Sequence, residues 1–374
     1  MARHPTIAYV LLRNAHFGPR LASSVELCVR DLTLHSRYRD STVVVCPKID
    51  APFEGVDVAA IPDVRAGGNV AKALAVGRML ARRGVDIIVV ENHLPAAGWI
   101  GAASRTPTVL HSHAYVTAPA SPFKRFRRGV QLRGIAGFAF VSQNCAARFR
   151  DGFPSVRAPV RAIPNGLDMR AWSDRTPKDK TILSVGRALD DKGHLEAMRA
   201  ITQVLPSRRE WAARFILTAT DREPDLVARL EAMAEPFGGR IRIDSYLPYS
   251  DVQRAWESAA IGMVLTKSPE PFGRTALEAL ATGTALVTSG LGGLAEVAGA
   301  EADVVAPDDE RGVAASLATL MDAPERRAAR ARAGRARVER LFDIRTVAGA
   351  MDDFIDEVLA ARMSGRAAHG TASG

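Results

Sequence analysis

The sequence predicts an α/β protein built from two doubly wound domains, each with a parallel sheet. Short segments rich in β-branched residues alternate with helical segments along most of the chain, which is typical of parallel sheets. A polar linker at residues 168–180 separates two such series. The length of 374 residues also suits two hydrophobic cores better than one. Ligands are then expected beyond the carboxyl ends of the strands, in a cleft between the domains.

The first series defines an N-terminal domain at residues 1–168. Strands are predicted at residues 7–12, 42–46, 56–61, 86–90, 108–111 and 138–142. Clear helical segments are found at residues 21–35 and 70–82.

The second series defines a C-terminal domain at residues 169–344. Its strands are predicted at residues 181–185, 214–218, 240–244, 262–266, 285–288 and 302–305, and its helices at 195–205, 225–234, 251–258 and 312–321. A last helix at residues 347–361 has an apolar residue at every fourth position, namely Val347, Met351, Ile355 and Leu359. The small and polar residues 363–374 are expected to form a disordered tail.

Composition is that of an ordinary globular enzyme, with 24% charged and 47% hydrophobic residues. Cys28, Cys46 and Cys145 lack the spacing of metal ligands, so we expect free thiols in a reducing compartment. The apolar run at residues 7–12 is too short for a secretory signal, and no segment is long enough to span a bilayer. A cytoplasmic protein is expected. With 6% aromatic residues and no recognisable motif, nucleic acid is not an expected partner.

The net charge of +9 makes an anionic partner plausible. Residues 123–133 would form a helix with an apolar stripe of Phe123, Phe126 and Val130. Its basic side chains are Lys124, Arg125, Arg127, Arg128 and Arg133. Two interpretations stay open: peripheral docking on an anionic membrane surface, or a core-facing stripe with a solvated basic side. The arginines of residues 326–340 point in several directions and favour a solvated helix.

Two carboxylates flank a predicted helix start at residues 270–278. Glu270 precedes Pro271 and Gly273, which break regular structure, and Glu278 lies inside the helix that begins near Arg274. The N-terminus of a helix attracts phosphate, because its first N–H groups have no partners within the helix. Acids on both sides of a phosphate site suggest a ligand with hydroxyl groups on both sides of a diphosphate, as in a nucleotide sugar.

Two cations follow the first strand of the second domain. Gly186 lets the chain turn out of the strand, and Arg187 and Lys192 extend from one loop. Charge-assisted hydrogen bonds from these two side chains could neutralise a diphosphate leaving group without a metal ion.

Together these motifs resemble the retaining GT-B glycosyltransferases, family 4 in particular, whose signature is Glu-x7-Glu. The resemblance continues through the glycines of residues 281–284 and 290–296. It implies two Rossmann-like domains facing a cleft, with a helix at residues 345–362 returning to the first domain. It further implies a retaining, metal-independent transfer of a hexose-type sugar from a nucleoside diphosphate sugar to an acceptor hydroxyl, without a cofactor.

The resemblance also assigns roles to residues of the second domain. Arg187 and Lys192 would hold the donor phosphates, Glu270 the hydroxyls of the transferred sugar, and Glu278 the ribose. The backbone around the helix start would cradle sugar and phosphate, at Phe272, Gly273, Arg274 and Thr275.

In the first domain the resemblance places an active-site histidine at His113, and His93, Gly18 and Asn165 are expected on the acceptor side. Asn165 lies in a Pro-Asn-Gly turn that the family carries at the domain junction. The family usually has Gly-Gly before its first helix, whereas this chain has only Gly18, followed by Pro19. The implied acceptor is a glycan or a lipid-linked sugar, as in lipopolysaccharide or other cell-envelope synthesis.

Two other functions are compatible with parts of the pattern. A nucleotide-sugar epimerase of the same fold would need no acceptor, but the Glu-Pro-Phe-Gly run fits it poorly. A non-catalytic glycan-binding or anion-binding protein would not need Arg187, Lys192, Glu270 and Glu278 together.

Overall fold

The computed structural model describes residues 4–12, 15–19, 22–64, 68–174 and 177–370, with side chains described as far as residue 364. The chain divides into two compact units. The first unit joins Met1–Gly166 to Ile344–Gly374, and the second is Leu167–Asp343.

The first unit contains a parallel sheet of seven strands. These are β1 (Ile7–Val10), β2 (Thr42–Cys46), β3 (Asp57–Ala60), β4 (Ile87–Glu91), β5 (Thr108–Ser112), β6 (Gly137–Phe140) and β7 (Val160–Ala162). Their order across the sheet is β3-β2-β1-β4-β5-β6-β7. Strands β1, β2, β4, β5 and β6 are buried at every position, so both faces of the sheet are covered. This burial explains why their sequences are continuous apolar runs, and all six predicted strands are present.

The α-helices that lie between β1 and β7 in the chain are α1 (Ser24–His35), α2 (Gly68–Arg83), α3 (Leu94–Ser104), α4 (Pro122–Arg133) and α5 (Gln143–Gly152). Helix α1 begins at Ser24 because Ser23 and Glu26 form a capping box, in which Ser23 N donates to Glu26 Oε2 at 2.8 Å. The prediction placed its start at residue 21, which lies outside the described residues. Helix α3 is not predicted by the sequence pattern, because its apolar residues do not gather on one face.

The second unit contains a parallel sheet of six strands. These are β8 (Asp179–Arg187), β9 (Ala212–Thr218), β10 (Ile241–Ser245), β11 (Ala259–Val264), β12 (Ala285–Thr288) and β13 (Asp303–Val304). Their order is β10-β9-β8-β11-β12-β13. The chain order reverses between β8 and β11, which lie side by side. In open α/β sheets such a reversal is where ligands bind.

Seven helices of the second unit connect its strands or follow them, among the residues that the structure describes. They are α6 (His194–Val204), α7 (Pro224–Ala234), α8 (Tyr249–Ser258), α9 (Arg274–Ala281), α10 (Leu294–Ala298), α11 (Glu310–Asp322) and α12 (Pro324–Leu341). The predicted helix start at Arg274 is confirmed, and Leu277 and Leu280 of α9 are fully buried.

The last helix, α13 (Ile344–Gly370), belongs to the first unit. Val347, Met351 and Ile355 are buried in the core of that unit, as the repeat of four predicts. The helix continues to Gly370, so residues 363–370 are helical where a disordered tail was expected; residues 371–374 lie outside the described part of the chain. A helix that packing has already nucleated extends at little cost through residues such as alanine and arginine.

Polar contacts attach α13 to the segment that follows α1. Ser36 Oγ and Arg37 N donate to the two oxygens of Asp352, at 2.6 and 2.9 Å. Tyr38 Oη donates to Asp356 Oδ1 at 2.7 Å. These contacts join residues more than 300 positions apart and fix the helix on the first unit.

Candidate functional site

Two loops of the second unit meet where β8 and β11 lie side by side. The first loop follows β8 and carries Lys192, and the second follows β11 and carries Glu270. Gly193 ends the first loop with a φ of +70°, and a Cβ at that position would lie 1.8 Å from the Leu265 carbonyl oxygen. Only glycine therefore lets the two loops approach each other this closely.

Lys192 and Glu270 are in direct contact. The ammonium group hydrogen-bonds Glu270 Oε1 and lies 3.9 Å from Asp191 Oδ2. The backbone of Glu270 is held by the glycine-rich segment of the sequence: its N–H donates to Leu291 O at 3.1 Å, and its carbonyl accepts from Gly293 N at 2.7 Å. That segment thus fixes the carboxylate that contacts Lys192.

Arg187 lies exposed at the carboxyl end of β8. Within the described part of the chain, its guanidinium group donates no hydrogen bond to another residue. Its positive charge is therefore available to a ligand at the same edge of the sheet as Lys192.

His194 supports this loop and was not predicted from the sequence. Its Nε2 lies 3.1 Å from the Arg187 carbonyl oxygen and its Nδ1 lies 3.0 Å from Ser184 Oγ. Burial lowers the pKa of His194 to about 4, so the ring is neutral, donates from Nε2 and accepts from Ser184 at Nδ1. A Cβ on Gly186 would lie 3.1 Å from the same Nε2, which explains the glycine. A histidine at a helix start is too common for sequence alone to reveal this role.

Lys267 is a second residue that no motif marks. Its Nζ donates to Asp190 Oδ2 at 2.6 Å and to Glu196 Oε1 at 3.3 Å. Its backbone N–H donates to Asp191 O at 2.8 Å. Lys267 therefore ties the end of β11 to the turn that carries Lys192.

The start of α9 provides a second potential anion site. Gly273 has a φ of +105°, and a Cβ there would lie 2.6 Å from a side-chain atom of α10. The N–H groups of Arg274 and Thr275 lie in the first turn of the helix, where no intrahelical acceptor exists. The side chain of Phe272 is buried edge-on against Phe342, with ring centroids 5.7 Å apart, so only its backbone can contact a ligand.

Glu278 is buried, and two neighbours contact its carboxylate. Tyr249 Oη donates to Oε1 at 2.8 Å and Arg274 Nε donates to the same oxygen at 3.0 Å. Burial raises the pKa of Glu278, and Arg274 and Tyr249 oppose that rise. The ribose role expected for Glu278 would thus be shared with Tyr249 and Arg274. Tyr249 lies 29 positions from Glu278, and no local pattern predicts the contact.

The first unit contains a separate cluster at the carboxyl ends of β4 and β5. Glu91 Oε1 accepts from His111 Nδ1 at 3.1 Å, and Glu91 Oε2 accepts from His113 Nε2 at 3.0 Å. The backbone N–H of His113 donates to Asn92 Oδ1 at 2.8 Å. The predicted histidine is therefore held by a buried carboxylate that was not predicted.

The charge of this cluster follows from its neighbours. Burial alone would raise the pKa of Glu91, but His111 and then His113 outweigh it and lower the pKa to about 2. One ligand atom of each of the three side chains lies within 4.8 Å of the others, so the set could hold a metal ion, and two imidazoles with a carboxylate are a known zinc ligand set. The two hydrogen bonds account for the geometry without an ion, and the absence of a metal requirement stays a prediction.

The three residues assigned to the acceptor side occupy structural positions in the first unit. His93 Nδ1 accepts from Ala96 N at 3.0 Å and caps α3. Asn165 is buried and its Oδ1 accepts from Cys28 Sγ at 3.3 Å. A Cβ on Gly18 would lie 2.3 Å from a backbone oxygen, so the glycine allows a close approach of two chain segments.

Among the residues that the structure describes, no helix combines the length and the apolar character that crossing a bilayer requires.

Comparison with known protein families identifies the class of protein that has this fold and these two loops at the reversal of the sheet. Residues 168–337 match the family described as "Glycosyl transferases group 1", and residues 25–171 match "Glycosyltransferase Family 4". The two matches adjoin and extend from residue 25 to residue 337. The chain therefore belongs to the GT-B glycosyltransferases.

Individual relatives are similar over much of the chain. The glycogen synthase of Mycobacterium tuberculosis is 27% identical, over 92% of this chain and 90% of its own length. A GDP-mannose-dependent phosphatidylinositol monomannoside mannosyltransferase of Corynebacterium glutamicum is also 27% identical, over 71% of this chain and 75% of its own. The crystal structure of Anabaena HepE with UDP and glucose is 20% identical, with a TM-score of 0.76 over 94% of this chain and all of that one, and so shares the fold.

Proposed function

We propose that the protein transfers a hexose-type sugar from a nucleoside diphosphate sugar to an acceptor hydroxyl, with retention at the anomeric carbon and without a metal ion. The observation that carries the proposal is the contact between Lys192 and Glu270, with Arg187 exposed at the end of the strand that leads into the loop of the lysine. Cations that could bind a diphosphate thus lie near a carboxylate that could accept hydrogen bonds from the hydroxyls of a sugar.

The leaving group is a nucleoside diphosphate, whose charge rises as the bond to the sugar breaks. Arg187 and Lys192 stabilise that charge, and the first-turn N–H groups of α9 add the positive end of a helix. When a phosphate binds Lys192, Glu270 loses its ammonium partner and accepts from hydroxyls of the sugar instead. Retention fits attack by the acceptor hydroxyl from the same face of the sugar that the leaving group departs from, because no side chain is assigned as a nucleophile.

Relatives suggest the chemical class of donor and acceptor. The named relatives comprise a glycogen synthase, a GDP-mannose-dependent transferase that acts on a phosphatidylinositol mannoside, and a protein solved with UDP and glucose. These names favour a hexose as the transferred sugar. We propose a glycan or lipid-linked acceptor of cell-envelope synthesis, which fits the basic surface of the first unit.

The test is a thermal-shift panel of UDP, GDP, ADP and their sugars, each with and without chelator. Binding to the folded state raises the melting temperature, and the rise grows with the logarithm of ligand concentration divided by Kd. We expect one nucleotide to stabilise the protein equally in both conditions. Loss of the shift in chelator would contradict metal independence, and no shift with any nucleotide would contradict the donor site.

The stereochemistry needs a separate measurement. NMR can follow the first product formed from the identified donor. We expect its anomeric configuration to be the same as that of the donor. An inverted product would refute retention, and conversion of the donor without transfer to any acceptor would favour an epimerase.

A further inference from the structure

Helix α4 of the first unit exposes an unusual amount of apolar surface. Phe123, Phe126 and Val130 are 72%, 70% and 51% exposed. They occupy positions i, i+3 and i+7, so they form one stripe along the helix. Of the two interpretations open from the sequence, the core-facing stripe is wrong: these side chains face solvent.

The opposite side of α4 attaches it to the protein. Leu132 is buried and lies roughly 150° around the helix from the middle of the stripe. Near the end of α4, a Cβ on Gly98 of α3 would lie 2.8 Å from the Gln131 carbonyl oxygen, so the two backbones pack closely there. The helix is thus held along its far side and near its carboxyl end, and this leaves the stripe unpartnered.

The basic side chains of α4 form no ion pair within the part of the chain that the structure describes. Lys124, Arg125 and Arg127 are exposed, and Arg128 is half-buried. The helix contains no acidic residue, and within the described residues none of these four side chains lies within ion-pair distance of a carboxylate. Burial, and then the charge of Arg127, lower the pKa of Arg128.

Helix α12 shows that basic charge alone does not produce this arrangement. Four of its seven arginines pair with carboxylates in the described structure: for example, Arg330 Nη2 lies 3.0 Å from Asp303 Oδ1, and Arg335 Nε lies 2.9 Å from Glu339 Oε1. Among the described residues of α12, the exposed large apolar side chain is Leu341 at the last position, so α12 has no exposed apolar stripe. Among the described residues, one basic helix therefore has most of its arginines paired with carboxylates, whereas α4 has none of its basic side chains paired and exposes aromatic rings beside them.

We propose that α4 docks the first unit on an anionic lipid bilayer. The stripe of Phe123, Phe126 and Val130 enters the boundary between headgroups and acyl chains, and the basic residues bind lipid phosphates on either side of it. A helix of 12 residues is about 18 Å long, which suits it to lie in the interface and is too short to cross the bilayer. The docking is a property of the first unit and holds whatever sugar is transferred.

Sedimentation with vesicles tests the charge. The full chain is mixed with phosphatidylcholine vesicles that contain or lack phosphatidylglycerol, and K124Q/R125Q/R127Q/R128Q is compared with R209Q/R229Q/R332Q/R340Q. Each variant lowers the formal net charge from +9 to +5, and the control positions are exposed arginines without an ion pair in the described structure. We expect the α4 variant to lose about tenfold or more in affinity for anionic vesicles, and the control to lose less than about twofold. Equal losses in the two variants, or equal binding of the parent chain to neutral vesicles, would overturn the proposal.

A second pair of variants tests the stripe. F123A/F126A is compared with L341A/M363A, which removes exposed apolar side chains elsewhere. Because a buried phenyl ring contributes to partitioning, we expect F123A/F126A to bind anionic vesicles about tenfold more weakly and the control to bind as the parent does. Since both rings are exposed, circular dichroism of the variant should match the parent. Unchanged binding of a folded F123A/F126A would show that the stripe does not enter the bilayer.

Discussion

Lys192 and Glu270 are 78 positions apart in the chain, yet their charged groups touch. The contact gives the lysine an anionic partner before any donor arrives, so its ammonium group is never buried unpaired. In the proposed mechanism, a donor phosphate would replace one anionic partner of Lys192 with another. The displaced Glu270 carboxylate would then accept from sugar hydroxyls, and donor binding would be linked to sugar recognition through one ion pair.

Replacing Lys192 by alanine should therefore affect turnover more than folding. We expect kcat to fall by about 10²- to 10³-fold, since one charge that stabilises the leaving group is lost. The measurement is steady-state kinetics with the donor found in the thermal-shift panel. Lys180→Ala, which removes an exposed lysine paired with Glu210, is the control and should change kcat by less than about twofold. Similar kinetics in the two variants would contradict the leaving-group role of Lys192.

Glu91 predicts a pH dependence of stability. The folded pKa of about 2 lies below the ordinary value of 4.5, so the stabilisation is complete above about pH 5 and is lost as the pH falls toward 2. A difference of this size corresponds to about 3 kcal/mol. We expect urea unfolding of the parent to weaken between pH 6 and 4 more steeply than that of Glu91→Gln, in which the carboxylate is absent.

The control for Glu91 is Glu325→Gln, an exposed carboxylate with no ion pair in the described structure. It should keep the slope of the parent protein. If Glu91→Gln kept that slope as well, the two histidines would not be holding a carboxylate of lowered pKa.

Two helices of the second unit begin in an unusual way. Helices α6 and α9 start at Gly193 and Gly273, both with positive φ and without a side-chain cap, whereas α1, α5 and α11 are capped by Ser23, Ser142 and Asp309. A capping side chain occupies first-turn N–H groups that a phosphate would need. Both of these glycine starts fall where a donor phosphate is proposed, although α4, α7, α8, α10 and α12 also begin without a side-chain cap.

Gly193 and Gly238 provide a matched pair of sites for a glycine-to-alanine substitution. Both have positive φ, of +70° and +56°, but only Gly193 faces a backbone oxygen, whereas a Cβ on Gly238 would meet nothing within 4 Å. Gly238→Ala should cost about 1–2 kcal/mol for its conformation alone. We expect Gly193→Ala to cost at least about 2 kcal/mol more and to weaken donor binding, as measured by chemical unfolding and by the thermal-shift panel. An equal loss of unfolding free energy in the two variants would mean that the loops after β8 and β11 can move apart without destabilising the protein.

The helix α4 shows what a pattern cannot predict. Its stripe at i, i+3 and i+7 correctly predicts an amphipathic helix, but periodicity does not say which face meets the protein. The answer depends on Leu132 and on the approach of α3 to Gln131, and both contacts depend on the fold.

At the scale of the whole molecule, the two sheets could be predicted because central strands such as β1, β4, β11 and β12 are buried at all or nearly all positions and so read as continuous apolar runs. Glu270, Glu278, Arg187 and Lys192 could be singled out because each lies in a short contiguous motif. Tyr249, His194, Lys267 and Glu91 could not be, since their roles come from partners that are distant in sequence or from a backbone carbonyl.

The last helix contributes to the stability of the first unit. Ile355 is fully buried in the core of that unit. We expect Ile355→Ala to lower the free energy of unfolding by about 2–5 kcal/mol, as large-to-small changes in cores do, with a smaller effect on kcat at low temperature. Met363→Ala, at a side chain that is 74% exposed in the same helix, should change it by less than about 0.5 kcal/mol. A small effect of Ile355→Ala would mean that the sheet is stable without α13.

The same helix has a consequence for biosynthesis. A chain leaves the ribosome from its N-terminus, so residues 4–166 emerge while Val347, Met351 and Ile355 are still to be made. The second unit is a single uninterrupted segment, Leu167–Asp343, and carries its whole core within it. The unit whose sheet is synthesised before the second unit must thus wait until α13 has been made, and its unfinished apolar face is the surface that a nascent-chain chaperone would meet.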